Sequence, residues 1–202
     1  MTTLFLVRHG VTSHTGHKLT GWMPDVHLTE LGLAQAEAVA ETLADVKLAA
    51  VYSSPIERTM ETAVPIARRQ KLRVQRRRTL GEVEFGKWSN RTFGTLRKTK
   101  LWGRVQRHPS GVRFPEGESF LEVQNRAVGE LEALKEVHPK QAVCCVSHAD
   151  VIKLIAAHYL GMHIDLFQRL EIGPASITVI AIGEGGPRVL SVNVPPRMPE
   201  QT

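Results

Sequence analysis

The chain opens on Thr3-Leu4-Phe5-Leu6-Val7, a short run without polar alternation that breaks sharply at Arg8-His9-Gly10. Ala49-Ala50-Val51-Tyr52-Ser53 and Ala142-Val143-Cys144-Cys145-Val146-Ser147 repeat the pattern. Runs of this kind belong to strands covered on both faces. Between them apolar positions recur at helical spacing. Thr29 to about Ala44 predicts a helix with Leu33, Ala36, Val39, Ala40 and Leu43 on one stripe. Ser54, Pro55 and Glu57 read as the N-cap, first helical position and capping-box partner of a second helix, which carries Arg58. Leu72 to Gln75 reads as a short strand. Ser119 and Glu122 form another capping box, opening a helix to about His138 with Phe120, Val123, Ala127, Leu131 and Leu134 inward. Val151 to Leu160 is helical and stops at Gly161. Ala175–Ile182 and Val189–Val192 read as a closing pair of strands, arranged as a hairpin.

Strands alternating with amphipathic helices predict an α/β fold. The expected form is a three-layer α/β/α sandwich, its mostly parallel central sheet covered by helices on both faces. Residues 1–194 are expected to form a single domain, with an inserted, partly helical cover at about 92–118 and a frayed tail at 195–202. A length of 202 residues agrees with one domain that has a proper core.

Composition adds little to this picture, but it removes alternatives. Apolar content of 42% and charged content of 23% are those of a soluble globular protein. Met1-Thr2-Thr3 leads directly into a strand and no apolar run has spanning length, so the cytoplasm is the expected location, with no membrane partner. Cys144 and Cys145 are adjacent and would face opposite sides of a strand, which suits two small buried hydrophobes rather than a disulfide. The net charge of +6 is concentrated at residues 68–73 and 76–78, without interleaved aromatics or a nucleic-acid motif. That is read as a solvated basic face that steers anions, not as a nucleic-acid surface.

The candidate chemistry lies where the strands end. Ligands of open α/β sheets bind beyond the carboxyl ends of the strands. Here those ends bring Arg8 and His9, the helix carrying Arg58, and His148. Two arginines and two histidines suit a dianionic phosphate, because a guanidinium offers a planar fork of donors. Taken singly, Arg58 is also a plain helix-surface arginine and His148 a plain strand-end hydrogen-bond partner; the joint pattern favours a site.

Leu6-Val7-Arg8-His9-Gly10-Val11-Thr12 resembles the Arg-His-Gly-x-Thr/Ser signature of the histidine phosphatase superfamily, which includes the cofactor-dependent phosphoglycerate mutases. The resemblance continues through Thr20-Gly21-Trp22, Leu28-Thr29-Glu30-Leu31-Gly32-Leu33-Ala34-Gln35-Ala36 and Ser53-Ser54-Pro55-Ile56-Glu57-Arg58-Thr59. It extends to Leu80-Gly81-Glu82-Val83-Glu84-Phe85-Gly86-Lys87-Trp88, Pro115-Glu116-Gly117-Glu118-Ser119 and Val146-Ser147-His148. It implies that His9 is the nucleophile that accepts the phosphoryl group, a task suited to an imidazole uncharged near neutral pH. Arg8, Arg58 and His148 would surround the phosphoryl oxygens. The family's proton donor and acceptor precedes its Phe-Gly-x-Trp element by three positions, which selects Glu82. In an extended segment Glu84 would point the same way, so geometry alone leaves both open. Thr12, Thr15, Thr20, Gly21 and Ala149 are the implied substrate-binding positions.

Three features depart from the pattern or remain open. Thr15 stands where many relatives carry Asn, and Ala149 where Gly is usual. Asp150 either meets a cationic part of the substrate or caps the next helix. His14 and His17 form no convincing metal site, and no metal or cofactor is expected. The short stretch between Glu82 and His148 resembles the compact phosphatase branch rather than the mutases. The expected activity is therefore that of a metal-independent phosphoric monoester hydrolase working through a phosphohistidine. A cofactor-dependent mutase and a non-catalytic phosphate-binding module are the alternatives. The expected partner is a small phosphomonoester, such as a sugar phosphate, phosphoserine or a nucleotide-related ester, with a homodimer left open. Specificity is expected to lie in the Val11–Met23 loop and the Thr92–Ser119 cover.

Overall fold

The computed structural model describes residues 1–198; of the expected tail, residues 199–202 lie outside the described residues. Strand β1 (Thr2–Arg8) lies inside a six-stranded sheet. On one side it pairs in parallel with β6 (Ala142–Ser147), which pairs in parallel with β3 (Leu48–Ser53), which pairs in parallel with β4 (Val74–Arg76). On the other side β7 (Ile177–Gly183) runs antiparallel to β1, and β8 (Gly186–Val194) antiparallel to β7 as the expected hairpin. Arg8 is level with Ser147, and Val146 with Ser53. The carboxyl ends of the three inner strands therefore finish at one height. The residues just beyond those ends, His9, His148 and Ser54, leave the sheet together.

Helices α1 (Glu30–Thr42) and α2 (Glu57–Arg69) cover one face. Val39, Leu43, Ala63 and Ile66 pack there on Val7, Val51, Cys144 and Val146. The other face carries α5 (Phe120–Val137) and α6 (Ala149–Tyr159), whose Val123, Leu131, Leu134 and Ile152 pack on Leu4, Leu6, Val143 and Cys145. This is the expected three-layer sandwich. Strand alternation sends Cys144 and Cys145 to opposite cores, and burial pushes both thiols up, that of Cys144 to about 12. They are inert packing groups.

Local expectations fail where tertiary contacts outweigh them. Leu33 is 50% exposed instead of inward. At that end of α1 the inward position is Gly32, where a Cβ would collide with the Val11 carbonyl oxygen, so backbone meets backbone and Leu33 turns out. Helix α2 begins at Glu57, with Ile56 at the N-cap position and no side-chain cap. The expected capping box at Ser54 does not form: the helix starts three residues later, and the Ser54 hydroxyl accepts the Ile56 amide (3.4 Å) and meets His148 Nε2 (2.9 Å). Strand β4 starts at Val74, not Leu72. Lys71 is left-handed (φ 57°) and the Leu72 amide turns back to the Ala67 carbonyl (2.9 Å), so both residues belong to the cap of α2. Helix α6 starts at Ala149, with His148 at its N-cap position, so Asp150 sits in the first turn and is not the cap. The capping box of Ser119 and Glu122 is present.

Over the sheet's carboxyl end, β2 (Lys18–Leu19) pairs with β5 (Arg91–Thr92), tying the loop after β1 to the start of the expected cover. Beyond β5 come α3 (Phe93–Leu96) and α4 (Lys100–Arg107), N-capped by the hydroxyls of Thr92 and Thr99. Trp102 of α4 stacks on Trp88, ring centroids 6.2 Å apart.

Candidate active site

His9 continues the β1 ladder by donating its amide to the Ser147 carbonyl (3.0 Å), while its own carbonyl accepts from Ala175 (3.2 Å). The residue is 6% exposed. Its Nδ1 lies 2.7 Å from the Gly10 carbonyl oxygen. A carbonyl only accepts, so Nδ1 carries the proton and the Nε2 lone pair is left free. Burial first, then the Arg58 and Arg8 cations, hold His9 well below its ordinary pKa, and the ring is neutral. A neutral ring with its proton fixed on Nδ1 is a nitrogen nucleophile.

Arg58, in the first turn of α2, is 1% exposed. Its NH2 donates to the Gly21 carbonyl (2.8 Å) and to His148 Nδ1 (3.2 Å). Since a guanidinium only donates, Nδ1 accepts, and His148 Nε2–H faces Ser54 Oγ at 2.9 Å. Burial, followed by Arg58 and His9, keeps His148 neutral as well, and the two imidazole centroids lie 5.3 Å apart. Among the described residues Arg58 Nε and NH1 and Arg8 Nε have no partner. Arg8 NH1 is held by the Ile172 carbonyl (2.6 Å). Buried donors without acceptors are costly. Several of them around one histidine describe a place prepared for an anion.

Glu82 lies just after the 3₁₀ turn Arg78–Leu80, in a stretch without strand pairing. Its side chain is 13% exposed, with Oε2 3.7 Å from His148 Nδ1. Burial above all, then the Asp150 anion, push its pKa up to about 7, against the pull of Arg58, the Val83 amide and Arg8. Glu84 turns outward to Arg78 (2.7 Å), 45% exposed. The alternation of an extended strand does not hold here, and only one of the two carboxylates enters the site.

Residues 4–195 match the family model of the histidine phosphatase superfamily (branch 1). The chain belongs to the histidine phosphatase superfamily. It is 31% identical over 196 residues to "Phosphoserine phosphatase 1" of Hydrogenobacter thermophilus, covering 96% of this chain and 93% of that protein. Among solved structures, Bacillus stearothermophilus YhfR superposes with a TM-score of 0.90 at 27% identity, covering 96% and 98% of the two chains. The phosphoserine phosphatase of Entamoeba histolytica, solved with 3-phosphoglyceric acid, superposes with a TM-score of 0.87 at 28% identity, covering 96% and 97%.

In this superfamily member Arg8, His9, Thr12, Thr15, Thr20, Arg58, Glu82 and Ala149 all line one cavity of about 260 Å³. His148 is not among the lining residues but bonds to Arg58 behind them. Thr15 Oγ1 accepts the Thr12 amide (3.0 Å), so the hydroxyl in the place of the usual Asn organises its own loop. Gly21 does not line the cavity; it contributes the carbonyl that holds Arg58. His14 reaches the wall and His17 does not. Among the described residues no group of three or more His, Cys, Asp or Glu is arranged to hold a metal ion. Asp150 and Lys153 of α6, 3.8 Å apart, also line the cavity, as do Phe93, Trp102 and Gln106 of the cover.

Three residues at or behind the site are not legible in the sequence. Ser54 has every local mark of a cap, and no local signal shows its bond to His148. Trp22, whose Nε1 donates to the Glu82 carbonyl (2.6 Å), lies inside the Thr20-Gly21-Trp22 motif without an assigned task. Arg126 flanks the buried stripe of α5, beside Val123 and Ala127. A cation next to an apolar stripe is the one signal that could reveal it.

Proposed function

We propose that this chain is a phosphomonoesterase that acts on a small phosphorylated metabolite through a phosphohistidine at His9, without metal or cofactor. The observation that carries the reading is Arg58, a buried guanidinium whose Nε and NH1 have no partner among the described residues, beside a neutral histidine with a free Nε2. The phosphoryl oxygens supply the missing acceptors for Arg58 and Arg8. His148 stands behind them, its Nδ1 accepting from Arg58 NH2, and so orients the guanidinium that meets the phosphoryl group.

Nε2 of His9 attacks phosphorus; the P–N bond forms as the ester P–O bond breaks, and the proton of Glu82 goes to the leaving oxygen. Water then attacks phosphorus, its proton passes to the Glu82 carboxylate, the P–N bond breaks, and inorganic phosphate departs. A carboxyl group with a pKa of about 7 is half protonated near neutrality and serves both steps. Charge spreading over the equatorial oxygens meets two fixed cations in a water-poor site, which favours the transition state.

The relatives named as phosphatases support hydrolysis, and phosphoserine enters the first panel for that reason. The test is phosphate release from a panel of phosphometabolites in the presence of EDTA. Turnover of at least one small ester is expected. Loss in EDTA that magnesium or zinc restores would overturn the metal-free route. Formation of 2-phosphoglycerate from 3-phosphoglycerate, dependent on 2,3-bisphosphoglycerate, would show a mutase. No turnover of any ester, an aryl phosphate included, would leave a binding module.

A further inference from the structure

We infer that Arg126, working with Glu118, is the positioning residue for Glu82: it fixes the backbone that aims this carboxyl group and does not itself meet the substrate. The inference rests on the reading of Glu82 as the proton donor and acceptor.

Glu82 sits in a stretch that needs outside support. Residues 82–85 belong to no helix or strand, so no ladder holds them. In place of a ladder stands one guanidinium. Arg126 NH1 donates to the carbonyls of Thr79 (2.7 Å) and Gly81 (2.9 Å), and NH2 to the carbonyl of Glu82 itself (2.9 Å). The same group makes a two-pronged pair with Glu118, Nε to Oε1 at 2.8 Å and NH2 to Oε2 at 3.0 Å. Glu118 in turn accepts the Glu84 amide at Oε2 (2.9 Å), and its own amide donates to the Glu84 carbonyl (2.8 Å). The backbone is thus gripped just before Glu82, at its carbonyl and two residues beyond. Trp22 Nε1 donates to the same Glu82 carbonyl (2.6 Å).

Arg126 does not line the cavity, and its side chain is only 20% exposed. The charge of Arg126 helps to lower the pKa of the neighbouring His148, while Glu82 is moved chiefly by burial, Asp150, Arg58, the Val83 amide and Arg8. What Arg126 gives Glu82 is the set of backbone bonds at Thr79, Gly81 and Glu82. A guanidinium is suited to this, because its donors lie in one plane at fixed angles and reach several acceptors at once, whereas a lysine ammonium offers a single point. An error of about 1 Å in a reacting group can reduce a rate by about 100-fold.

The test compares Arg126→Met, Arg126→Lys and Glu118→Gln with Glu82→Gln as reference. kcat and KM are measured on an alkyl phosphate and on p-nitrophenyl phosphate, together with inhibition by inorganic phosphate. An aryl leaving group needs little protonation, so loss of aim at Glu82 falls on the alkyl ester. Arg126→Met is expected to lose about 10- to 100-fold in alkyl kcat, with the aryl ester within a few-fold and phosphate inhibition unchanged. Arg126→Lys and Glu118→Gln should give the same selectivity with smaller losses, and they carry the test if Arg126→Met fails to fold. A merely structural staple would lower both esters equally or only the folding stability, and either result overturns the inference. If Glu82→Gln shows the selective loss and none of the other variants does, this inference alone falls. If Glu82→Gln shows no selective loss, the proposed acid/base role falls and this inference with it.

Discussion

A carboxyl group kept half protonated near neutrality is a stability liability, and Glu82→Gln exposes it. Glu82 titrates at about 7 in the folded chain against an ordinary 4.5. At about 1.4 kcal/mol for each tenfold change in proton affinity, that difference is worth about 3 kcal/mol. Between pH 4.5 and about 7 the folded chain holds a proton that the unfolded chain has released. Glu82's contribution to stability is therefore full below 4.5 and is lost as pH rises through about 7. Glutamine has the shape of the protonated acid and never ionises. The variant should therefore match the parent at pH 4.5 and exceed it by about 3 kcal/mol at pH 8, about 6–12 °C in Tm for a chain of this size. The two neutral histidines pull the other way over part of this range, since their depressed pKa values make folding more favourable as pH rises. Only the difference between variant and parent isolates Glu82. Urea unfolding of both proteins in phosphate-free buffers at pH 4.5, 6, 7 and 8 measures it. A difference that does not change with pH, or a variant less stable at pH 8, would refute the argument that Glu82 is destabilised by burial in its ionised form.

His9→Ala should lose turnover and all acid-labile, base-stable labelling by a phosphoryl donor; labelling kept in His9→Ala but lost in His148→Ala would reverse the assignment. Arg58→Lys should lower kcat/KM by about 10²–10³-fold, since one ammonium cannot replace the two unpaired donors, and a loss under threefold would show that the buried guanidinium meets no phosphoryl oxygen. Glu84→Gln should leave kcat/KM for an alkyl phosphate within twofold of the parent, and a large loss would move the acid/base role outward to the Arg78 pair.

The parts of the site that are legible in the sequence are those encoded by contrast within a few residues. Apolar runs ending at Arg8-His9 and at Ser147-His148 mark strand ends, and parallel neighbours of matched register bring such ends together. Stripes such as Val123, Ala127, Leu131 and Leu134 arise from helical spacing alone. The hidden parts depend on partners far along the chain. Ser54 obeys every local rule for a helix cap, yet it lies before the helix and its hydroxyl also meets the distant His148 ring. Leu33 fits its stripe until Gly32 meets the loop after β1. Chain geometry leaves Glu82 and Glu84 alike and only the family resemblance selects Glu82; in the structure the wall of Arg8, Arg58 and Asp150 stands around Glu82, and Arg78 beside Glu84. Gly21, implied as a substrate-binding position, contributes the carbonyl that holds Arg58.

The cavity draws its walls from two sources with different freedom to vary. Arg8, His9 and Arg58 come from the carboxyl end of the inner strand β1 and from the first turn of α2, both packed into the core. Phe93, Trp102 and Gln106 come from a short excursion joined to the loop after β1 by the two-residue pairing of β2 with β5. Mutations in that excursion can reshape the room around a leaving group while the phosphoryl-handling atoms keep their places. A directed library confined to Phe93, Trp102 and Gln106, with the buried Leu96 and Val105 kept, samples new leaving groups over an unchanged floor.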